Sequence, residues 1–298
     1  MLIQFQASTE QTAAALCIGR EIVLFHGDAI DSRGILAVDT WGQGIQRVPA
    51  KYDVEAMTIS LGTAKSDVDG IANLLLKYDS ARVVLEATTL GFAELFSIIS
   101  GLIENGVKQI DIVYVEPESY TRTHPGGDQF ALTETTRGYH PIPRSVVDLS
   151  SDDLEAGVFF LGFEPERLDR AIEDHQMISG KEIKVIFGIP AFQPGWELDS
   201  IIPHLARLQQ GPLDVEYCSA NDPEAAFECL ERTRASLGVG KRMFVAPIGP
   251  KPCGIAAAVF ASVFPTQVGI LFDHPRTSPK RTDGALVWHR YKIIIDQS

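Results

Sequence analysis

FVAPIGPKPCGIAAAVFASVF, from Phe244 to Phe264, is the stretch that decides the fold. With Arg242 and Met243 before it, the opening is a short apolar run of strand character, and from Cys253 onward apolar residues fall at helical spacing. Gly249-Pro250-Lys251-Pro252-Cys253-Gly254 lies between, a turn that leaves the carboxyl end of a strand and opens a helix. Strand, turn and helix in this order form the repeating step of an α/β protein with a mostly parallel sheet.

The same alternation runs outward along the chain. Strand candidates are residues 20–26, 82–87, 110–115, 157–163, 183–189, 213–219, 242–248 and 267–273. Between them SDVDGIANLLLKY, GFAELFSIISGLIENG, PERLDRAIEDHQ and DPEAAFECLERTRASLG carry apolar residues three and four apart, several behind an Asp or Ser start signal. EPESYTRTHPGGDQ, residues 116–129, is polar and rich in Gly and Pro, and reads as a long surface loop.

The two halves of the chain resemble each other. Asp53-Val54-Glu55 recurs as Asp214-Val215-Glu216, and a hydrophobic strand ends in a proline dipeptide at Glu116-Pro117 and again at His274-Pro275. The expected architecture is two tandem Rossmann-like units with mostly parallel sheets and helices on both faces, spanning residues 1–150 and 151–298. Two unrelated α/β segments are the alternative, because α/β units share their element order by default.

Composition narrows the function classes. Among 298 residues, 45% are hydrophobic and 22% charged, the profile of a globular protein. A net charge of −13 repels nucleic acid, so no bulk DNA or RNA binding is expected. No apolar run approaches the length of a membrane span, and MLIQFQASTEQ has neither a basic nor an apolar leader region, so no membrane is expected and the location is read as cytoplasmic. Cys17, Cys218, Cys229 and Cys253 form no CxxC pair, and the seven histidines form neither HxH nor HExxH, so no metal site follows from spacing.

At the carboxyl end of a parallel strand, a helix start offers backbone N–H groups and a positive dipole end to an anion. Gly249, Lys251 and Gly254 are therefore candidate ligand-binding residues, with Thr88, Thr89 and Gly91 as their first-half equivalents. Any tight strand-to-helix connection uses the same Gly and Pro, which is the plainer explanation. Neither GxGxxG nor GxxxxGK followed by Ser or Thr is present, so no cofactor is specified.

Through these six residues the turns resemble the CRISPR-associated Rossmann-fold sensor domains, the CARF-like family, in which a threonine- or glycine-rich turn, often with a lysine, joins a late strand to its helix. The resemblance covers short parts of the chain. Proline before Lys251 departs from the Thr-Gly-Thr-Lys type of turn. It implies binding of a nucleotide or cyclic oligonucleotide across a dimer.

Further groups surround this reading. FHGDAIDSRG and FLGFEPERLDR place Asp28, Arg33, Glu164 and Arg167 after early strands, where they would reach a ligand or, for Glu164 and Arg167 at i, i+3, form a helix-starting ion pair. Arg276, Lys280 and Arg281 in HPRTSPKRTDG would close over phosphates as a lid, with Arg122, His124 and Arg137 in the counterpart loop of the first half, or stay solvated. Phe192 and Trp196 offer either a stacking surface or core cover. Asp28, Glu164 and Cys253 are the catalytic candidates; for Cys253 a core thiol is the plainer use. Three functions follow: a sensor or regulatory subunit binding a nucleotide or phosphorylated small molecule, with a homodimer or partner protein; a hydrolase or transferase on a nucleotide-like substrate; and a protein-interaction scaffold.

Overall fold

The computed structural model describes residues 2–19, 21–41, 45–78, 82–122, 130, 132–175, 180–211, 213–279 and 281–296. Along the chain lie β1 (Leu2–Glu10), β2 (Ile22–His26), α1 (Ser32–Asp39), β3 (Gln46–Asp53), β4 (Thr58–Leu61), β5 (Ala64–Asp67) and α2 (Ile71–Leu75). They are followed by β6 (Arg82–Glu86), α3 (Phe92–Glu104), β7 (Gln109–Val115), β8 (Ser119–Tyr120), β9 (Thr133–Thr136), β10 (Leu154–Leu161) and α4 (Pro165–Asp174). Next come β11 (Glu182–Gly188), α5 (Trp196–Ile201), α6 (Leu205–Leu208), β12 (Asp214–Cys218), α7 (Pro223–Ser236), β13 (Arg242–Pro247) and α8 (Lys251–Val263). The chain closes with β14 (Val268–Ile270), β15 (Pro275–Thr277), β16 (Thr282–Asp283) and β17 (Trp288–Asp296). Among the described residues no helix is long and apolar enough to cross a membrane.

The chain is α/β and divides into two compact units, residues 1–121 with 277–298, and residues 122–276. The expected halves, 1–150 and 151–298, place this division differently. At the C-terminal end the reason is β17, which pairs antiparallel with both β7 and β1 and returns those residues to the first unit's sheet. Residues before 150 join the second unit, as where Ile270 N donates to Ser145 O at 2.8 Å and Thr133 Oγ1 to Glu164 at 2.9 Å.

The second unit carries a five-stranded sheet in the order β12-β11-β10-β13-β14, every neighbouring pair parallel. Its central strands are almost continuously apolar because both faces are covered, as in β13, where only Arg242 escapes burial. Gly157 on β10 makes room for the Phe244 ring, since a methyl group there would lie 2.2 Å from it. Helix α7 starts on Asp222, whose side chain accepts from the N–H groups of Glu224 and Ala225 at 2.9 and 3.2 Å, with Pro223 in the first turn. Helix α8 is buried continuously from Pro252 to Ala261, matching its alanine-rich sequence, and Phe260 meets Phe227 of α7 edge-on at 5.2 Å.

The first unit's sheet runs β1-β17-β7-β6-β2-β3-β4-β5. Its centre, β7-β6-β2-β3, is parallel, and both flanks are antiparallel. SDVDG, expected to begin a helix, instead ends β5 and turns into the short α2. Within the loop expected over residues 116–129, Ser119 and Tyr120 pair with β16, and residues 123–129 lie outside the described residues. The recurring Asp-Val-Glu does not mark equivalent places, since Asp53 ends β3 whereas Asp214 begins β12.

Candidate functional site

Numbered along the chain, the second unit's strands lie in the order 3-2-1-4-5, and the order reverses between β10 and β13. Open α/β sheets bind ligands outside the carboxyl ends of the strands at such a reversal. The loops leaving β10 and β13 approach each other closely there. A methyl group on Gly249 would sit 2.7 Å from the Leu161 carbonyl oxygen, so this position needs glycine. Pro250 then caps α8, Lys251 is its first residue and half-buried, and Gly254 N–H donates to Pro250 O at 3.1 Å. Gly254 is thus committed inside the first helical turn, while Gly249 and Lys251 stand at the reversal. Helix starts leave N–H groups without intrahelical acceptors, and Pro252 removes one of them.

Three loop ends at this edge are tied by one guanidinium. Arg167 of α4 donates to Asp273 after β14, at 2.7 Å from Nε to Oδ2 and 2.5 Å from Nη2 to Oδ1. Its Nη1 donates to the Ile248 carbonyl at 3.2 Å and lies 3.8 Å from Glu164 Oε2. Burial opposes the charged guanidinium, but the Asp273 carboxylate outweighs it and holds Arg167 above the usual arginine value. Glu164 also accepts from Thr133 Oγ1 at 2.9 Å. Burial pushes its carboxyl above the ordinary glutamate range, against the pull of Arg167 and Thr133. The i, i+3 pair of Glu164 and Arg167 is therefore real but secondary to Asp273.

The other catalytic candidates sit elsewhere. Asp28 is exposed, 3.9 Å from Lys51 Nζ, and Cys253 is buried with its Sγ 4.0 Å from Cys218 Sγ. Arg276 is exposed and lies 3.3 Å from Glu134, whereas Arg281 belongs to the first unit beside Asp31. The basic segment expected to act as one lid is thus shared between the units; Lys280 and His124 lie outside the described residues. Arg122 pairs with Asp199 at 3.2 Å and covers the Phe130 ring, and Trp196 meets Phe130 and Phe163 edge-on at 6.1 and 6.2 Å. The backbone N–H of Arg137 donates to His274 O at 3.3 Å.

In the first unit the equivalent reversal lies between β2 and β6. The fold itself uses both hydroxyls of that turn. Fully buried Glu86 accepts from Thr88 N at 2.8 Å, Thr89 N at 2.9 Å and Thr89 Oγ1 at 2.5 Å. Thr89 Oγ1 accepts from Gly27 N at 2.9 Å, and Thr88 Oγ1 from Val115 N at 2.9 Å. Gly91 caps α3, with Glu94 closing over it. The residues between Glu86 and Gly91 therefore form a self-satisfied turn. Glu86, Asp273 and Thr133 were not singled out from sequence; only Glu86, directly before Ala87 and the two threonines, carried a local signal.

Among the described residues, no group of three or more His, Cys, Asp or Glu side chains is placed to hold a metal ion. No model of a known protein family matches this chain, and no curated protein matches it.

Proposed function

We propose that the second unit binds a phosphorylated small molecule, in particular a nucleotide, in the crevice between the carboxyl ends of β10 and β13. The observation that supports this reading is the close approach of Gly249 to the Leu161 carbonyl where the strand order reverses, with Lys251 opening α8 two residues later. A helix start and an ammonium group both favour an anion. We read the chain as a cytoplasmic sensor or regulatory subunit that acts through a homodimer or a partner protein.

In the same proposal the chain consists of two tandem Rossmann-like units. The order β3-β2-β6-β7 in the first and β11-β10-β13-β14 in the second supports this, each with a strand-turn-helix at its reversal. The resemblance of these turns to CRISPR-associated sensor domains directs the search toward cyclic oligonucleotides.

One observation favours a second reading, a hydrolase or transferase on a nucleotide-like substrate. Glu164 is a carboxyl group near the same crevice whose pKa is raised by burial, as a general acid requires. The test is a thermal-shift screen against mononucleotides, dinucleotide cofactors, cyclic oligonucleotides and sugar phosphates, with each mixture analysed for product. A shift without turnover supports the sensor, a shift with product supports the enzyme, and no shift with any compound removes both in favour of a protein-interaction scaffold.

A further inference from the structure

The first unit buries more positive than negative charge at one place. Arg33 of α1 is 3% exposed, and its Nη1 donates to Val115 O at 2.9 Å and to the Tyr114 hydroxyl at 3.4 Å. Arg281, just before β16, has a side chain 22% exposed, and its Nε lies 3.7 Å from Asp31 Oδ2, too far for a hydrogen bond. Neither Arg33 Nε nor Arg281 Nε has a hydrogen-bond partner among the described residues. Asp31 is already engaged at both oxygens, by Gly34 N at 2.7 Å and Thr282 Oγ1 at 2.7 Å.

Asp31 is the carboxylate whose charge acts on both guanidiniums, at 3.7 Å from Arg281 and at longer range on Arg33. Burial lowers the pKa of Arg281, and repulsion from Arg33 lowers it further. The Tyr120 hydroxyl does not supply negative charge, because burial holds its phenol well above the ordinary value. The Glu116 carboxylate, next in sequence after Val115, is engaged by His289 Nε2 at 3.0 Å and does not figure among the principal charges acting on Arg33 or Arg281. Buried charges are ordinarily paired, and a guanidinium edge left without an acceptor suits an oxygen of an oxyanion. The place is also suitable, since Tyr114 and Val115 end β7, at the carboxyl edge of the parallel centre of the sheet.

We propose that Arg33 and Arg281 form an oxyanion site in the first unit that takes a phosphate or phosphoryl group, entering from the side of Arg281. Both arginines belong to the first unit and Lys251 to the second, and the proposal does not rest on the one made for Lys251. It also accounts for Arg281 without the lid expected from sequence. The backbone holds Arg281 in place, because its carbonyl accepts from Thr121 N at 2.8 Å.

Inorganic phosphate is the probe, with chloride at matched ionic strength as the control. Using Lys251→Ala protein separates this site from the second unit's crevice. Phosphate is expected to raise the melting temperature of Lys251→Ala, and adding Arg281→Met is expected to weaken phosphate binding about tenfold or more. No phosphate-dependent shift in Lys251→Ala, or an equal shift in the double variant, overturns the proposal. Should the double variant not fold, phenylglyoxal labelling of the wild-type protein, read by peptide mass spectrometry, decides the matter. Phosphate is expected to slow labelling of Arg281 about threefold or more while leaving exposed Arg276 unchanged; labelling of Arg281 that phosphate does not slow overturns it.

Discussion

Arg167 meets both carboxylate oxygens of Asp273 across 106 residues of sequence, with side chains only 11% and 3% exposed. This pairing fixes the loop after β14 against α4 and, through Ile248 O, against the turn that precedes Lys251. Removing one member of a buried pair leaves the other charge uncompensated. Asp273→Ala is expected to cost about 3 kcal/mol in urea denaturation, and Arg167→Met/Asp273→Leu to recover most of that loss. A loss below about 1 kcal/mol would place the pair among those that contribute little.

The turn after β6 gives the second prediction. Thr89→Val removes the hydroxyl that donates to Glu86 and accepts from Gly27 N, so it is expected to cost about 1–2 kcal/mol of stability. Affinity for a ligand held in the second unit should stay unchanged. Unchanged stability with weakened affinity would instead mark Thr89 as a ligand-binding residue.

Acid stability should depend on Asp111. Burial opposes its ionisation, but hydrogen bonds from Arg82, Gln109 and Arg290 outweigh that and hold the carboxyl below the usual range. A depressed folded-state pKa contributes stability that is present above the ordinary aspartate value of about 4 and lost as pH falls through the lower folded value. Asp111→Asn should therefore lower the urea midpoint at neutral pH and flatten its fall as pH drops below about 4. Parallel pH profiles for the two proteins would contradict this.

Thiol reactivity separates a core cysteine from a nucleophile. Cys17 is exposed, while Cys218, Cys229 and Cys253 are buried. A chromogenic disulfide reagent should label Cys17 rapidly in the folded protein and the other three only on unfolding. Rapid labelling of Cys253 would favour the enzyme reading.

The sequence was most legible where both faces of a strand are covered. Continuous apolar runs such as Val158–Leu161 and Phe244–Ala246 announce themselves, and all eight expected strands are present. β1 is not legible because LIQFQASTE buries little more than Phe5, and neither is its pairing with β17, which joins residues almost 300 positions apart, from Leu2 opposite Asp296 to Glu10 opposite Trp288. The Lys251 turn was readable because Gly, Pro and Lys lie in a row. Arg167 with Asp273, and Arg33 with Arg281, were not, since nothing local in the chain records which distant carboxylate or guanidinium will face a buried side chain.

In the proposed function Lys251 holds a phosphorylated ligand. The direct test is calorimetric titration of wild-type and Lys251→Ala protein with the best-stabilising ligand, beside the melting temperature of each free protein. Affinity is expected to fall about tenfold or more in Lys251→Ala, with free-protein melting temperatures nearly equal. Equal affinities, or a variant that loses its stability without any ligand present, would contradict it and make Lys251 a structural residue of the turn.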